Sequence, residues 1–169
     1  MDFGPKNMGL SDEDAKKAAA EALKLAGVDE DKFEKSPLDL SGGQKRRVAI
    51  AGVLAMKPDI LVLDEPMSGL DPRGKTEILD MIARLHRESG ITIVLVSKRL
   101  AEVASYVERL IVMNKGKIAF DGPTKEVFSH YKELETMGLS APRVTYLMHA
   151  LKERGVEVDT SAIPIDEAK

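Results

Sequence analysis

Cysteine and tryptophan are missing from this chain altogether, and aromatic residues make up only 4% of it. Without cysteine there are no disulfides and no thiolate metal sites, a composition that fits a reducing cytosol. With so few aromatics, a net charge of −3 and no basic stripe, nothing recommends a nucleic-acid surface. No apolar run approaches the ~18 residues that a membrane-spanning helix needs. The longest, near Ile60–Leu63 and Ile91–Val96, are the size of strands. Met1-Asp2-Phe3-Gly4-Pro5 has neither the basic nor the apolar region of a signal peptide. Any encounter with a membrane is therefore expected to run through a partner. Internal repeats and low-complexity segments are also lacking.

At 169 residues, 43% of them hydrophobic and 31% charged, the chain can bury one sizeable core and reads as a soluble α/β protein. Gly4-Pro5 and Asn7 predict a turn-rich entry. Ser11 and Asp14 make a capping box before a helix from Ala15 to Ala26, which stops at Gly27. Asp29 to Lys35 is a short polar helix or turn, and Ser36-Pro37 opens a loop. A buried helix of small residues follows from Gln44 to Met56. Ile60–Leu63 and Ile91–Val96 read as strands, the first covered on both faces as in a parallel sheet. Between them Ile78, Leu79, Ile82 and Leu85 recur at helical spacing after Pro72. Leu100 to Tyr106 is a short helix, and Leu110–Met113 with Lys117–Phe120 form a hairpin. A capped helix spans Thr124–Tyr131, another runs from Pro142 to Gly155, and a loose tail ends the chain. This alternation predicts an α/β sheet with its site at the strand C-termini.

Three stretches carry chemistry. In Leu40-Ser41-Gly42-Gly43-Gln44, Ser41 offers a hydroxyl, and the two glycines let backbone amides approach an anion at the positive end of the following helix. An ordinary Ser N-cap would use the same letters, but Lys45-Arg46-Arg47 and a small-residue helix make the pattern far more specific. In Ile60-Leu61-Val62-Leu63-Asp64-Glu65-Pro66 a strand ends in two carboxylates. Asp64 can hold Mg²⁺ through water, and Glu65 can orient an attacking water and take its proton. Ser68-Gly69-Leu70-Asp71 follows at once.

Gly69-Leu70-Asp71-Pro72-Arg73-Gly74-Lys75-Thr76 satisfies the G-x-x-x-x-G-K-[ST] pattern of a phosphate loop. It is a poor one. Pro72 removes an amide that should cradle phosphate, and Asp71 would set an anion against anions. After the second strand the chain reads Val96-Ser97-Lys98-Arg99. His86, His130 and His149 lie on helices in no metal-binding spacing and read as solvated surface residues.

In this order the stretches resemble the signature motif, Walker B strand and D-loop of ATP-binding-cassette (ABC) ATPases. Phe3-Gly4-Pro5-Lys6-Asn7-Met8-Gly9-Leu10, Asp121 to Phe128 and Gly138 to Gly155 further resemble the ATPase subunits of energy-coupling-factor transporters of the cobalt, nickel and vitamin type. The resemblance covers nearly the whole chain. It implies a partial P-loop-type α/β fold: a helical subdomain over 1–57, a mostly parallel sheet remnant over 58–122 and a C-terminal helical extension over 123–169. It also implies ATP as substrate and Mg²⁺ as cofactor. Roles follow from the family: Ser41, Gly42, Gly43 and Gln44 bind ATP in trans, Ser68 and Asp71 form the D-loop, Glu65 is the catalytic base, and Asp64 meets the metal. Lys98 falls where the family keeps a His, and an ammonium has no lone pair to play both imidazole roles.

The implied partners are a second ATPase subunit, alike or different, a transmembrane scaffold and a substrate-capture subunit. They would hold the chain at the inner face of the cell membrane, in the cytoplasm. Relative to the family, the phosphate loop and Q-loop are not in this sequence. The expectations are therefore that Met1 is an internal methionine, that the chain either works with a separately encoded N-terminal piece as a further partner or is a gene remnant, and that hydrolysis by the chain alone is very slow or absent. A non-catalytic module lending its signature and D-loop to a complete ATPase is the alternative. A chromosome- or repair-type ABC ATPase would need long heptad arms, and none are here.

Overall fold

The computed structural model describes residues 2–164, which fold as two compact units that divide between Val96 and Ser97. The first unit opens with α1 (Phe3–Asn7) where a turn-rich entry is expected. Proline is tolerated in a first helical turn, where no N–H partner is needed, and Lys6 pairs with Asp2 at 2.8 Å across that turn. Helix α2 (Asp12–Leu25) begins three residues ahead of its predicted start. Ser11 Oγ accepts from the Asp14 amide at 3.1 Å and donates to the Asp14 carboxylate at 2.7 Å. Two 3-10 turns, Glu30–Lys32 and Pro37–Asp39, lead to α3 (Gly42–Leu54).

Strand β1 (Ile60–Asp64), helix α4 (Pro72–Ser89) and strand β2 (Thr92–Val96) complete this unit. The strands pair in parallel, from Ile60 opposite Thr92 to Asp64 opposite Val96. Ala22, Ile50, Leu54, Leu61, Leu63, Ile78, Ile82 and Leu85 share one core, which draws on both sides of residue 57. Burying a side chain such as Leu61 contributes about 1.5–3 kcal/mol. The expectation of a strand covered on both faces is not met. Val62 is 61% exposed and Val94 45%, because α2, α3 and α4 supply apolar cover to one face of the pair only. Helix α3 is likewise half-buried: Ala51 and Leu54 are inside, whereas Ala49 faces solvent.

The second unit contains α5 (Leu100–Val103), β3 (Arg109–Asn114), β4 (Lys117–Pro123), α6 (Thr124–Ser129), α7 (Tyr131–Thr136) and α8 (Arg143–Glu153). Strands β3 and β4 are antiparallel and turn through Lys115 and Gly116, both at positive φ, the geometry a tight hairpin demands. The helix expected over Thr124–Tyr131 breaks at His130 into α6 and α7. Its Thr124 hydroxyl donates to the Val107 carbonyl at 2.6 Å instead of capping the helix. Leu110, Val112, Val127, Phe128 and Leu134 form the core, and Ile163 joins it. The tail is therefore not loose as far as residue 164: Ala162 and Ile163 are both buried. The remainder of that expectation lies outside the described residues.

Candidate functional site

Gly42 and Gly43, expected to precede the helix, are the first two residues of α3, with Ser41 as N-cap. Ser41 Oγ accepts from the Gln44 amide at 3.3 Å, and Gln44 Oε1 accepts from the Ser41 amide at 2.9 Å. This reciprocal pair fixes the start of the helix and satisfies two amides that would otherwise lack partners. The Gly42 and Gly43 amides belong to the first turn, which has no intrahelical acceptors to offer. A hydroxyl that accepts in this way keeps its proton as a donor.

Nothing inside the fold requires glycine here. Neither residue has a positive φ. A Cβ at Gly43 would meet no atom within 4 Å, and one at Gly42 only Leu70 Cδ2, at 3.8 Å. Glycine in a helix costs about 0.5–1 kcal/mol relative to alanine. Two of them at an exposed helix start, with room for a methyl group, leave space for something outside this unit.

The acid pair sits at the C-terminal end of β1. Asp64 is exposed and Glu65 half-buried. Glu65 lies at φ 44°, a left-handed conformation that costs a non-glycine residue of order 1 kcal/mol. Its amide donates to the Val96 carbonyl at 2.9 Å, and its carbonyl accepts from the Ser68 amide at 3.0 Å. Buried Pro66 and Met67 hold the turn that follows. Among the described residues no group of three or more His, Asp or Glu is placed to hold a metal. An exposed carboxylate at a strand end still suits Mg²⁺, which takes one or two protein oxygens and keeps several waters.

Asp71 caps α4, its Oδ1 accepting from the Gly74 amide at 2.8 Å, while the Thr76 hydroxyl donates to the Pro72 carbonyl at 3.2 Å. The look-alike phosphate loop is thus an ordinary helix start. Arg46 Nη2 reaches the Ser68 carbonyl at 3.4 Å. With the Gly42–Leu70 approach, this brings residues 41–44 and 68–71 together within the first unit. Lys98 belongs to the second unit, exposed on the segment before α5, where the Arg99 amide donates to Ser97 Oγ at 3.1 Å.

His86 is exposed, as expected, whereas His130 and His149 are half-buried. His86 Nδ1 lies 2.9 Å from the Ile91 carbonyl. His130 pairs with Glu133 at 3.0 Å and stacks on Phe120. His149 packs against Tyr131, with Nε2 buried and unpartnered. Sequence reasoning also passed over Arg47 as a structural residue; three consecutive basic residues on one helix were the available signal.

Helical cradle, acid-tipped parallel strand and capped turn are shared with known proteins. Residues 5–68 match the ABC transporter family. The chain belongs to the ABC transporter ATPase family and has its α/β fold. More particularly, it is 51% identical over 168 residues to the energy-coupling factor transporter ATP-binding protein EcfA2 of Clostridium tetani, covering 99% of this chain and 58% of that relative. The EcfA2 of Clostridium perfringens is 46% identical, with 100% of this chain and 60% of the relative covered. Among solved structures, cbiO1 of Clostridium perfringens, part of the ABC transporter complex cbiONQ, aligns at a TM-score of 0.71 and 40% identity. That alignment covers 88% of this chain and 59% of cbiO1. A dimeric bacterial ABC transporter cassette aligns at 0.57 and 35% identity over 69% of this chain and 50% of its own length. The chain thus spans a little under two thirds of the length of these curated relatives.

Proposed function

We propose that this chain contributes the signature, Walker B acids and D-loop to an ATP-hydrolysing subunit of an energy-coupling-factor importer that takes up a metal ion or a vitamin. The observation that carries the reading is the pair of glycines at the start of α3, which the fold itself does not need. In a head-to-tail sandwich the Gly42 and Gly43 amides and the Ser41 proton would meet the γ-phosphate of ATP held by a second ATPase subunit, with Gln44 locking the turn. Ser68 and Asp71 would border the same interface. Asp64 would hold Mg²⁺ through water, the ion neutralising phosphate charge when bound. Glu65, fixed by its backbone beside the end of β2, would orient water and accept its proton. Lys98 stands at the switch position and would donate to phosphate only. Segments 1–57, 58–122 and 123–169 would serve as helical subdomain, sheet and extension.

The further partners are a transmembrane scaffold and a substrate-capture subunit. They would hold the chain peripherally at the cytoplasmic face of the membrane. No helix among the described residues is long and apolar enough to cross one. The test mixes the purified chain with an intact ATPase of this family. ATP turnover should rise and should lose that rise with Ser41→Arg, and no rise with the unaltered chain would refute the proposal. Glu65→Gln separates the two forms of the idea. A rise that survives it marks a module lending its signature in trans, and a rise that disappears marks a working Walker B site.

A further inference from the structure

Helix α2 ends at a junction built around Gly27, which sits at φ 68°. The amides of Ala26, Gly27 and Val28 bond to the carbonyls of Ala22, Lys24 and Leu23. The carbonyls of Leu25 and Ala26 are met instead by arginines from other helices. Arg84 Nη2 of α4 donates to Leu25 O at 3.1 Å, and Arg47 Nη1 of α3 donates to Ala26 O at 3.1 Å. Arg47 Nη2 continues to the Glu77 carbonyl of α4 at 3.3 Å and approaches the Glu77 carboxylate at 3.7 Å. The positive φ of Gly27 favours glycine, and a Cβ there would lie 2.8 Å from Arg47 Nη1 and 3.3 Å from Arg84 Nη2, so a larger residue would push the guanidinium groups off these carbonyls.

One guanidinium therefore joins three helices. Its donors form a planar fork, so the angle between the helices it bridges is fixed as well as their separation. It lies one helical turn beyond Gln44, and the two residues line the same recess of about 170 Å³ with Gly27 and Glu77. Helix α3 begins at the signature and α4 begins at the D-loop, so a polar tie between α3 and α4, added to the core they share, bears on how those two starts face outward together.

We infer that Arg47 is a positioning residue: it yokes the signature helix to the D-loop helix so that both reach the partner's nucleotide at once. Arg84 touches α2 alone and carries no such link. The inference rests on the nucleotide-sandwich reading for its effect on turnover, but the yoke itself is a property of the isolated chain.

The experiment compares Arg47→Lys with Arg84→Lys. A lysine can cap a carbonyl but cannot bridge Ala26 and Glu77 in a fixed plane. Because the sequence has no cysteine, Lys45→Cys with Arg87→Cys gives two unique spin-label sites on exposed positions of α3 and α4. The inter-label distance distribution should be narrow in the unaltered chain and in Arg84→Lys, and broad in Arg47→Lys. In the mixing assay Arg47→Lys should lower the stimulated kcat by about fivefold or more, with the KM for ATP changed less than about twofold. Arg84→Lys should leave both near their starting values, and the two melting temperatures should be similar. Equal distance distributions in both variants would overturn the inference whether or not the mixture is active. A kcat loss that merely follows the melting temperature would overturn it too. An inactive mixture with the unaltered chain would refute the sandwich reading, while the label distances still decide whether Arg47 sets the angle.

Discussion

The Glu65 amide donates to the Val96 carbonyl at 2.9 Å, which ties the acid that follows β1 to the end of the strand beside it. Among the described residues, Glu65 is also one of three non-glycine residues at positive φ. Its conformation is imposed by the turn and works against the residue's own preference, as happens where a side chain must be aimed. Asparagine tolerates this region and valine does not. Glu65→Asn should therefore unfold in urea at or near the concentration for the unaltered chain, while Glu65→Val should lose about 1–2 kcal/mol. Equal losses would show that the backbone there is unstrained.

Gly43→Ala should separate stability from function. The new methyl group has open space, and alanine is the better helix residue, so the variant should gain about 0.5–1 kcal/mol in denaturant melts. The same methyl group would stand between the first-turn amides and a phosphate, so stimulation of an intact ATPase should fall. A variant that is more stable and fully active would remove the argument that these glycines serve a ligand.

The open face of the β1–β2 pair, with Val62 and Val94 at its centre, should make the isolated chain sticky. Sedimentation should find concentration-dependent association and a hydrophobic dye should bind. Val62→Thr with Val94→Thr should reduce both, because a hydroxyl in place of a methyl group makes association less favourable. A chain that stays monomeric, melts cooperatively and ignores the dye would contradict this.

Acid should weaken the β3–β4 hairpin. Arg109 holds the Asp121 carboxyl below its usual range through two hydrogen bonds of 2.8 and 2.9 Å. A depressed folded-state value means that the stabilisation is present above the unfolded value, about 3.9, and is lost as pH falls through the folded one. Arg109→Met should therefore melt below the unaltered chain at neutral pH, with the gap closing in strong acid and shrinking in high salt. A gap independent of pH would mean that packing, and not charge, carries the pair.

Much of this was readable from residue order because the signals are local. Ser11, Gly27 and Pro72 mark helix ends through signals spanning a few residues. Lys115-Gly116 marks its hairpin in the same way. The signature and the Asp64-Glu65 pair stand out in the sequence because their residue types are the ones that phosphate and magnesium chemistry would call for. What failed to show depends on distant contacts. An apolar run such as Ile60–Leu63 reads as buried on both sides, and only the neighbours reveal that one face is bare. Arg47 reads as a charge after a motif until Ala26 and Glu77 arrive beside it. His149 looks like a surface residue until Tyr131 packs against its ring, and Ile163 looks like tail until the second core closes over it.

The start of α4 bears on how short patterns should be used. A run of letters associated with gripping triphosphates has, in this fold, several of its donors answered from within: the Asp71 carboxylate accepts from Gly74, and Thr76 reaches back to Pro72. What distinguishes a nucleotide cradle from a helix cap is whether its amides are still looking for an acceptor, and spelling alone does not record that.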